Sequence, residues 1–139
     1  MMDLTALLLA SLVNITTPQS EVGVYELPAI AGLWQLDDLS CQERYNFGRD
    51  GKLITTSGDE RTTGEYRFGY GRDESLPVLA IRTRYDNGQA DCMGNREDQS
   101  NNSFAVFVAL NDRHNPTTMQ WCDDEQGNHC GFRFSRVLP

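Results

Sequence analysis

The chain has 139 residues, enough for one domain with a single core and too few for two ordinary ones. Twenty acidic residues against twelve basic ones leave a formal net charge of −8, which disfavours nucleic acid or an anionic membrane surface as the main partner. The basic set is almost entirely Arg, with Lys52 the one Lys, and implies no function by itself.

Residues 1–20 stand apart from the rest. Residues 4–13 form an apolar run of signal-peptide length, too short to span a bilayer, although no Lys or Arg precedes Arg44 and no small-x-small cleavage site follows. The segment reads as a signal-like or flexible leader, or else as an N-terminal helix laid on the domain. Residues 21–139 then make one domain.

From Gly32 onward the pattern is one of short alternating segments separated by turn residues. Residues 32–36 form the first strand, with Trp34 and Leu36 on one face, and Asp37-Asp38 ends it. The second, 41–47, places Cys41, Glu43, Tyr45 and Phe47 on one face, and the aromatic residues mark that face as inward. Glu43 is then inward too, which is costly unless it pairs with a basic group, meets a ligand or sits at the wet mouth of a cavity. Asp50-Gly51 signals a hairpin into a third strand, 52–56, and residues 57–63 read as a polar loop. The fourth strand, 64–70, has Tyr66, Phe68 and Tyr70 on one side. Its end repeats the aromatic-Gly-Arg-Asp pattern of Phe47-Gly48-Arg49-Asp50, which is shared turn chemistry and only weakly suggests an anion site from Arg49 and Arg72.

The fifth strand, 78–85, sets Leu79, Ile81, Thr83 and Tyr85 on the inward face. Asn87-Gly88 then reads as a two-residue turn into a further strand, in whose register Arg84 faces Asp91 and Thr83 faces Cys92. Residues 94–102 are a polar loop. Residues 103–110 form a strand apolar on both faces, which needs cover on its outer side. Strands over 117–122, with Met119 and Trp121 in phase, and 130–137, with Phe132 and Phe134, complete the chain.

Four cysteines at wide spacing in a small domain point to two disulfides and an oxidising compartment. Both Cys41 and Cys92 are expected on the inward side, which favours Cys41–Cys92 and, by elimination and proximity, Cys122–Cys130. A metal site of Cys122, Cys130, His129 and His114 is disfavoured, because no C-x-x-C pair is present. Eight or nine antiparallel strands joined by turns, without a helical period, indicate an all-β up-and-down barrel or a sandwich.

Gly32-x-Trp34, Phe47 with Asp50-Gly51, and Gly64-x-Tyr66 together resemble the small bacterial lipocalin-like β-barrel domains, over residues 32–137. The resemblance implies a barrel in which Gly32 and Trp34 are structural and an Arg of the last strand, Arg133 or Arg136, packs over Trp34. The connection over 37–40 is much shorter than the loop that lids the lipocalin mouth, and the signature of the third interstrand loop is missing. The inward residues Glu43, Tyr45, Tyr66, Phe68, Ile81 and Tyr85 are the candidate ligand contacts, though side chains at these positions can equally fill an eight-stranded barrel.

No catalytic constellation emerges. Both His lie in polar loops, no Gly-x-Ser-x-Gly turn or phosphate-binding Gly loop is present, and period-two phasing puts Glu65 and Asp91 outward, away from Glu43. The Asp123-Asp124-Glu125 run lacks the spacing of a calcium loop. The expectation is a non-enzymatic, cofactor-free, secreted or periplasmic protein that binds a small apolar or amphipathic ligand. The alternative is a protein-binding module, such as a periplasmic inhibitor or immunity protein, that turns acidic loops toward a basic partner.

Overall fold

The structure, a computed structural model, describes residues 29–70 and 75–139. The leader-like residues 1–20 and Arg72 lie outside them. Eight strands form a closed antiparallel barrel in which every strand pairs with its neighbour in sequence and the last pairs with the first. They are β1 (Gly32–Leu36), β2 (Glu43–Phe47), β3 (Lys52–Ser57), β4 (Glu60–Gly69), β5 (Val78–Asp86), β6 (Ser103–Leu110), β7 (Thr118–Cys122) and β8 (Cys130–Leu138). The expected up-and-down barrel is therefore the fold, with eight strands. Closure removes the unpaired edges that an open sheet of this composition would expose.

Three local expectations change. Residues 60–63 are strand rather than polar loop: β3 and β4 pair from Ser57↔Glu60 onward, and Gly58, at φ 59°, opens a two-residue turn of the type that requires glycine first. Cys41 precedes β2 in a bend instead of lying on the strand. The strand expected to carry Cys92 is a loop, since β5 ends at Asp86 and β6 begins at Ser103. Asn87-Gly88 does not make a hairpin turn because its groups are committed elsewhere. The Asp86 carboxylate accepts from Gly88 N at 2.9 Å, while Asn87 accepts from Arg61 N and donates to Asp59 O. The pairs Arg84–Asp91 and Thr83–Cys92 consequently do not form, and Arg84 binds Glu65 at 2.8 Å on the outer wall.

Tyr85 is a correction of the same kind. Thr63 pairs with Tyr85 but Gly64 pairs with Thr83, so Arg84 has no partner on β4 and the alternation of β5 slips at that point. Leu79 and Ile81 keep their inward places, whereas Tyr85 turns outward and is 57% exposed. Gly64 is what permits the bulge: a Cβ there would collide with the Arg82 carbonyl oxygen.

Inside, Trp34, Leu36, Phe47, Leu53, Tyr66, Leu79, Ile81, Val108, Met119, Trp121 and Phe134 form one buried cluster, with Tyr45, Phe68, Val106 and Leu110 packed against it. The lower end, where the turn at residues 29–31 enters, is plugged by the fully buried Ile30, whose carbonyl accepts from Trp34 Nε1 at 2.8 Å. Arg136 lies over the Trp34 ring at 4.5 Å and donates to the carbonyls of Pro116, Ala31 and Ala29 at 2.7 Å each. Of the two Arg considered for this position it is Arg136; Arg133 instead sits 3.5 Å from Asp37. Gly32 admits this arrangement, because a Cβ there would meet Leu138 O at 2.5 Å and Arg136 Nη1 at 2.7 Å.

Both expected disulfides are present, Cys41–Cys92 with Cα atoms 5.6 Å apart and Cys122–Cys130 with 3.9 Å. The first was expected between strands, yet it ties the β1–β2 connection to the β5–β6 loop. The second joins residues paired directly across β7 and β8. By the chain-entropy argument, closing 51 residues removes about 4 kcal/mol of unfolded-state freedom and closing 8 about 2.5 kcal/mol.

The two-faced strand β6 is covered partly by the chain itself. Val78, Phe107, Cys122 and Cys130 stand in one register row across the outer wall. Above it Leu76 N donates to Glu125 O at 2.9 Å, so the β4–β5 and β7–β8 connections meet over β6 and leave Phe107 half-buried. Among the described residues no helix is long and apolar enough to cross a membrane.

Candidate site at the upper end of the barrel

The end of the barrel opposite Ile30 is finished by connections rather than by a plug. The β5–β6 loop crosses it, anchored where Ala90 O accepts from Asp59 N and Glu60 N, and where Ser57 Oγ accepts from Cys92 N at 3.0 Å. The Cys41–Cys92 disulfide holds this crossing against the start of β2. Beneath it stands Glu43. Its carboxylate accepts from Ser57 Oγ at 2.6 Å and from Tyr45 OH at 3.1 Å. The inward carboxylate thus meets two hydroxyls, and among the described residues no cation pairs with it. Neutral donors supply such a carboxylate with hydrogen bonds but with no opposite charge.

Tyr45 links this polar set to an aromatic one. Its ring lies 5.3 Å from both Trp121 and Phe134, edge-on in each case. Trp121 in turn packs 4.6 Å from Phe134, 6.0 Å from Phe104 and 6.4 Å from Phe132. Phe104 is 45% and Phe132 61% exposed, so the cluster runs from the core to solvent. Trp121 Nε1 is buried and has no acceptor among the described residues. An indole N–H in that state forfeits roughly 1 to 3 kcal/mol of hydrogen bonding, and the buried Trp usually finds a partner.

The rim carries further carboxylates. Glu60, at the β3–β4 turn, is pushed up to about 7 by burial, by its hydrogen bond with Asp86, and by the charges of Asp86, Asp91 and Glu43. Burial also pushes Asp86 upward, but the Gly88 and Gln99 N–H groups and the Glu60 carboxyl outweigh it and hold Asp86 below the usual carboxylate range. Tyr45 is raised far above an ordinary phenol, first by burial and then by the Glu43 charge and hydrogen bond, so it stays a donor to Glu43.

Of the six candidate ligand contacts, the structure brings Glu43 and Tyr45 together at this end. Tyr66, Ile81 and Phe68 are elsewhere. Tyr66 is buried and donates to Gly48 O at 2.6 Å near the lower end, Ile81 is buried in the core, and Phe68 packs 5.6 Å from Tyr70. Tyr85 is on the outer wall. The residues that complete the site, Trp121, Phe104, Phe132 and Ser57, come from strands whose phasing is legible but whose height in a tilted barrel is not. A hollow of about 410 Å³ beside Arg49, His114 and Arg136 lies at the lower end, and one of about 550 Å³ runs along the outside of β4, β5 and β6. Neither contains an unpartnered buried polar group. Cys122 and Cys130, being bonded to each other, have no thiolate to offer a metal.

No protein-family model, curated protein or solved structure matches the chain, so the reading of the site rests on its geometry.

Proposed function

We propose that this is a non-enzymatic, lipocalin-like binding protein of the periplasm or extracellular space that takes a small amphipathic ligand at the upper mouth of the barrel. The observation that carries the reading is Trp121, whose buried N–H lacks an acceptor in a ring cluster that continues into the exposed Phe104 and Phe132. An apolar body would cover the two phenyl rings, and an oxygen of the ligand would satisfy the indole once the side chains over it part to admit it. The interior below is occupied by side chains, so the ligand sits at the mouth rather than deep in the barrel. The position of Arg136 over Trp34 supports the lipocalin-like resemblance, and the two disulfides support an oxidising compartment.

Titration with naphthol, a neutral aromatic alcohol, tests this by nitrogen–proton NMR, because the chain has two indoles. The Trp121 indole resonance is expected to move while that of Trp34 stays, and Phe132→Ser is expected to weaken binding at least five-fold whereas Tyr85→Ser has no effect. Movement of neither indole, with Tyr85→Ser abolishing binding, would place any ligand on the outer wall and sink the proposal.

A second reading has one observation in its favour. The acidic loop between Cys122 and Cys130 is held rigid by the disulfide and by Asp124, which accepts from Asn128 N at 2.9 Å and His129 N at 2.8 Å. A pre-ordered acidic loop suits a basic protein partner. Native mass spectrometry of the protein purified from its source separates the two readings, by a carried small molecule in one case and a co-purifying chain in the other.

A further inference from the structure

The chemistry around Glu43 says more about the ligand than that it is amphipathic. Glu43 is the inward carboxylate of the mouth, its two oxygens are held by neutral hydroxyls, and the phenol that holds one of them belongs to Tyr45, 5.3 Å from the Trp121 ring. Carboxylate and ring cluster are therefore joined through Tyr45. Further carboxylates stand on the rim, which also holds the Arg133–Asp37 pair at the end of β1. Glu60 feels the charges of Glu43, Asp86 and Asp91, and the hydrogen-bond donors to Glu43, Asp86 and Asp91 from Ser57, Gly88, Gln99, Met93 and Asn95 are neutral. Among the described residues these carboxylates are not gathered into a set of metal ligands. A negative site that is half aromatic and offers no metal geometry matches a different cation. Alkylammonium groups are stabilised by aromatic faces and by a carboxylate without needing the dense oxygen shell of a divalent ion.

We propose that the mouth selects an organic cation, an amine or quaternary ammonium joined to an apolar body. Tyr45, Trp121, Phe104 and Phe132 receive the body and the carbon-bound flank of the head group, and Glu43 receives the charge. Glu43 is partly buried, so its attraction is screened less than that of a surface carboxylate. Ser57 and Tyr45 fix its orientation before the ligand arrives. The Cys41–Cys92 link keeps the β5–β6 loop, and with it Ser57, in place. This inference rests on the reading of the mouth as a ligand site.

The test uses the full chain with three probes of closely similar shape and different charge: 3-phenylpropylamine, the neutral 3-phenylpropanol and the 3-phenylpropionate anion. Binding is followed by the Trp121 indole resonance at pH 8, above the raised value of Glu60. The amine is expected to bind at least ten-fold tighter than the alcohol, and the anion more weakly than either. Glu43→Gln, which keeps both hydroxyl contacts sterically possible, is expected to bring the amine down to the alcohol's affinity. An alcohol that binds as tightly as the amine, or an amine advantage that survives Glu43→Gln, would overturn the cation proposal and leave the mouth as a ligand site. If none of the three moves the Trp121 resonance, both readings fall together.

Discussion

The two Trp of this chain are buried to a similar degree and have opposite hydrogen-bonding fates. Trp34 Nε1 donates to Ile30 O at 2.8 Å under the Arg136 guanidinium, while Trp121 Nε1 has no acceptor among the described residues. Replacing each with Phe separates structure from function. Trp34→Phe orphans a buried carbonyl and leaves a gap, and should destabilise the domain by about 2 to 4 kcal/mol. Trp121→Phe removes a donor that was already unsatisfied, so its loss of volume is partly offset and the cost should be below about 1.5 kcal/mol. Urea denaturation midpoints compare the two. Equal costs would mean that Trp121 has a partner in the folded protein and that its N–H is not waiting for a ligand.

At the scale of single elements the bulge in β5 decides which side chains reach the interior. The alternation of Leu79, Ile81, Thr83 and Tyr85 is visible in the sequence and is followed as far as Thr83. Nothing in those residues announces the slip at Arg84. Its cause is on the neighbouring strand, where Gly64 lets the Arg82 carbonyl come close. Gly64→Ala should therefore destabilise by about 1 to 3 kcal/mol, as overpacked sites do, through a clash that backbone movement alone can relieve. Amide hydrogen exchange should show the loss of protection concentrated at Thr63 and Thr83, on both sides of the bulge. Uniform loss across the barrel would argue against a local role for this glycine.

Across the whole molecule the acidic upper rim couples stability to pH. Glu60 has an ordinary value of 4.5 and is raised to about 7 in the fold. Below pH about 4.5 it is protonated in both the folded and unfolded states. Between 4.5 and 7 the folded protein keeps a proton that the unfolded chain releases, so this contribution to stability is lost as pH rises and is gone above about 7. Asp86 works in the other direction, since its lowered value gives stability that is lost as pH falls below its ordinary 3.8. Glu60→Gln should flatten the stability profile between pH 4.5 and 7 and leave the acid limb intact. The urea midpoint measured across that range checks it; an unchanged slope in the variant would assign the dependence to other groups.

Strand period, turn residues and cysteine count are local quantities, and they determined a good deal: an all-β barrel, seven strands within a few residues of their bounds, both disulfides, Trp34 as a buried centre and an inward Glu43. The alternation that points to Cys41–Cys92 assumes a strand around Cys92 that does not form. The pairing holds because the β5–β6 loop brings Cys92 to the same end of the barrel by another path. What only the tertiary structure decided is height and neighbourhood. Strands in a closed barrel are tilted and staggered, so residues on the same face of consecutive strands need not meet. Tyr45 and Tyr66 share the inward side, yet one holds Glu43 at the upper end and the other holds Gly48 O near the lower. Trp121, Phe104 and Phe132, far from Glu43 in sequence, gather beside Tyr45 because closure through β8 brings the end of the chain round to its beginning. Alternation says which side of the wall a residue faces, and only the stagger of the barrel says what it faces there.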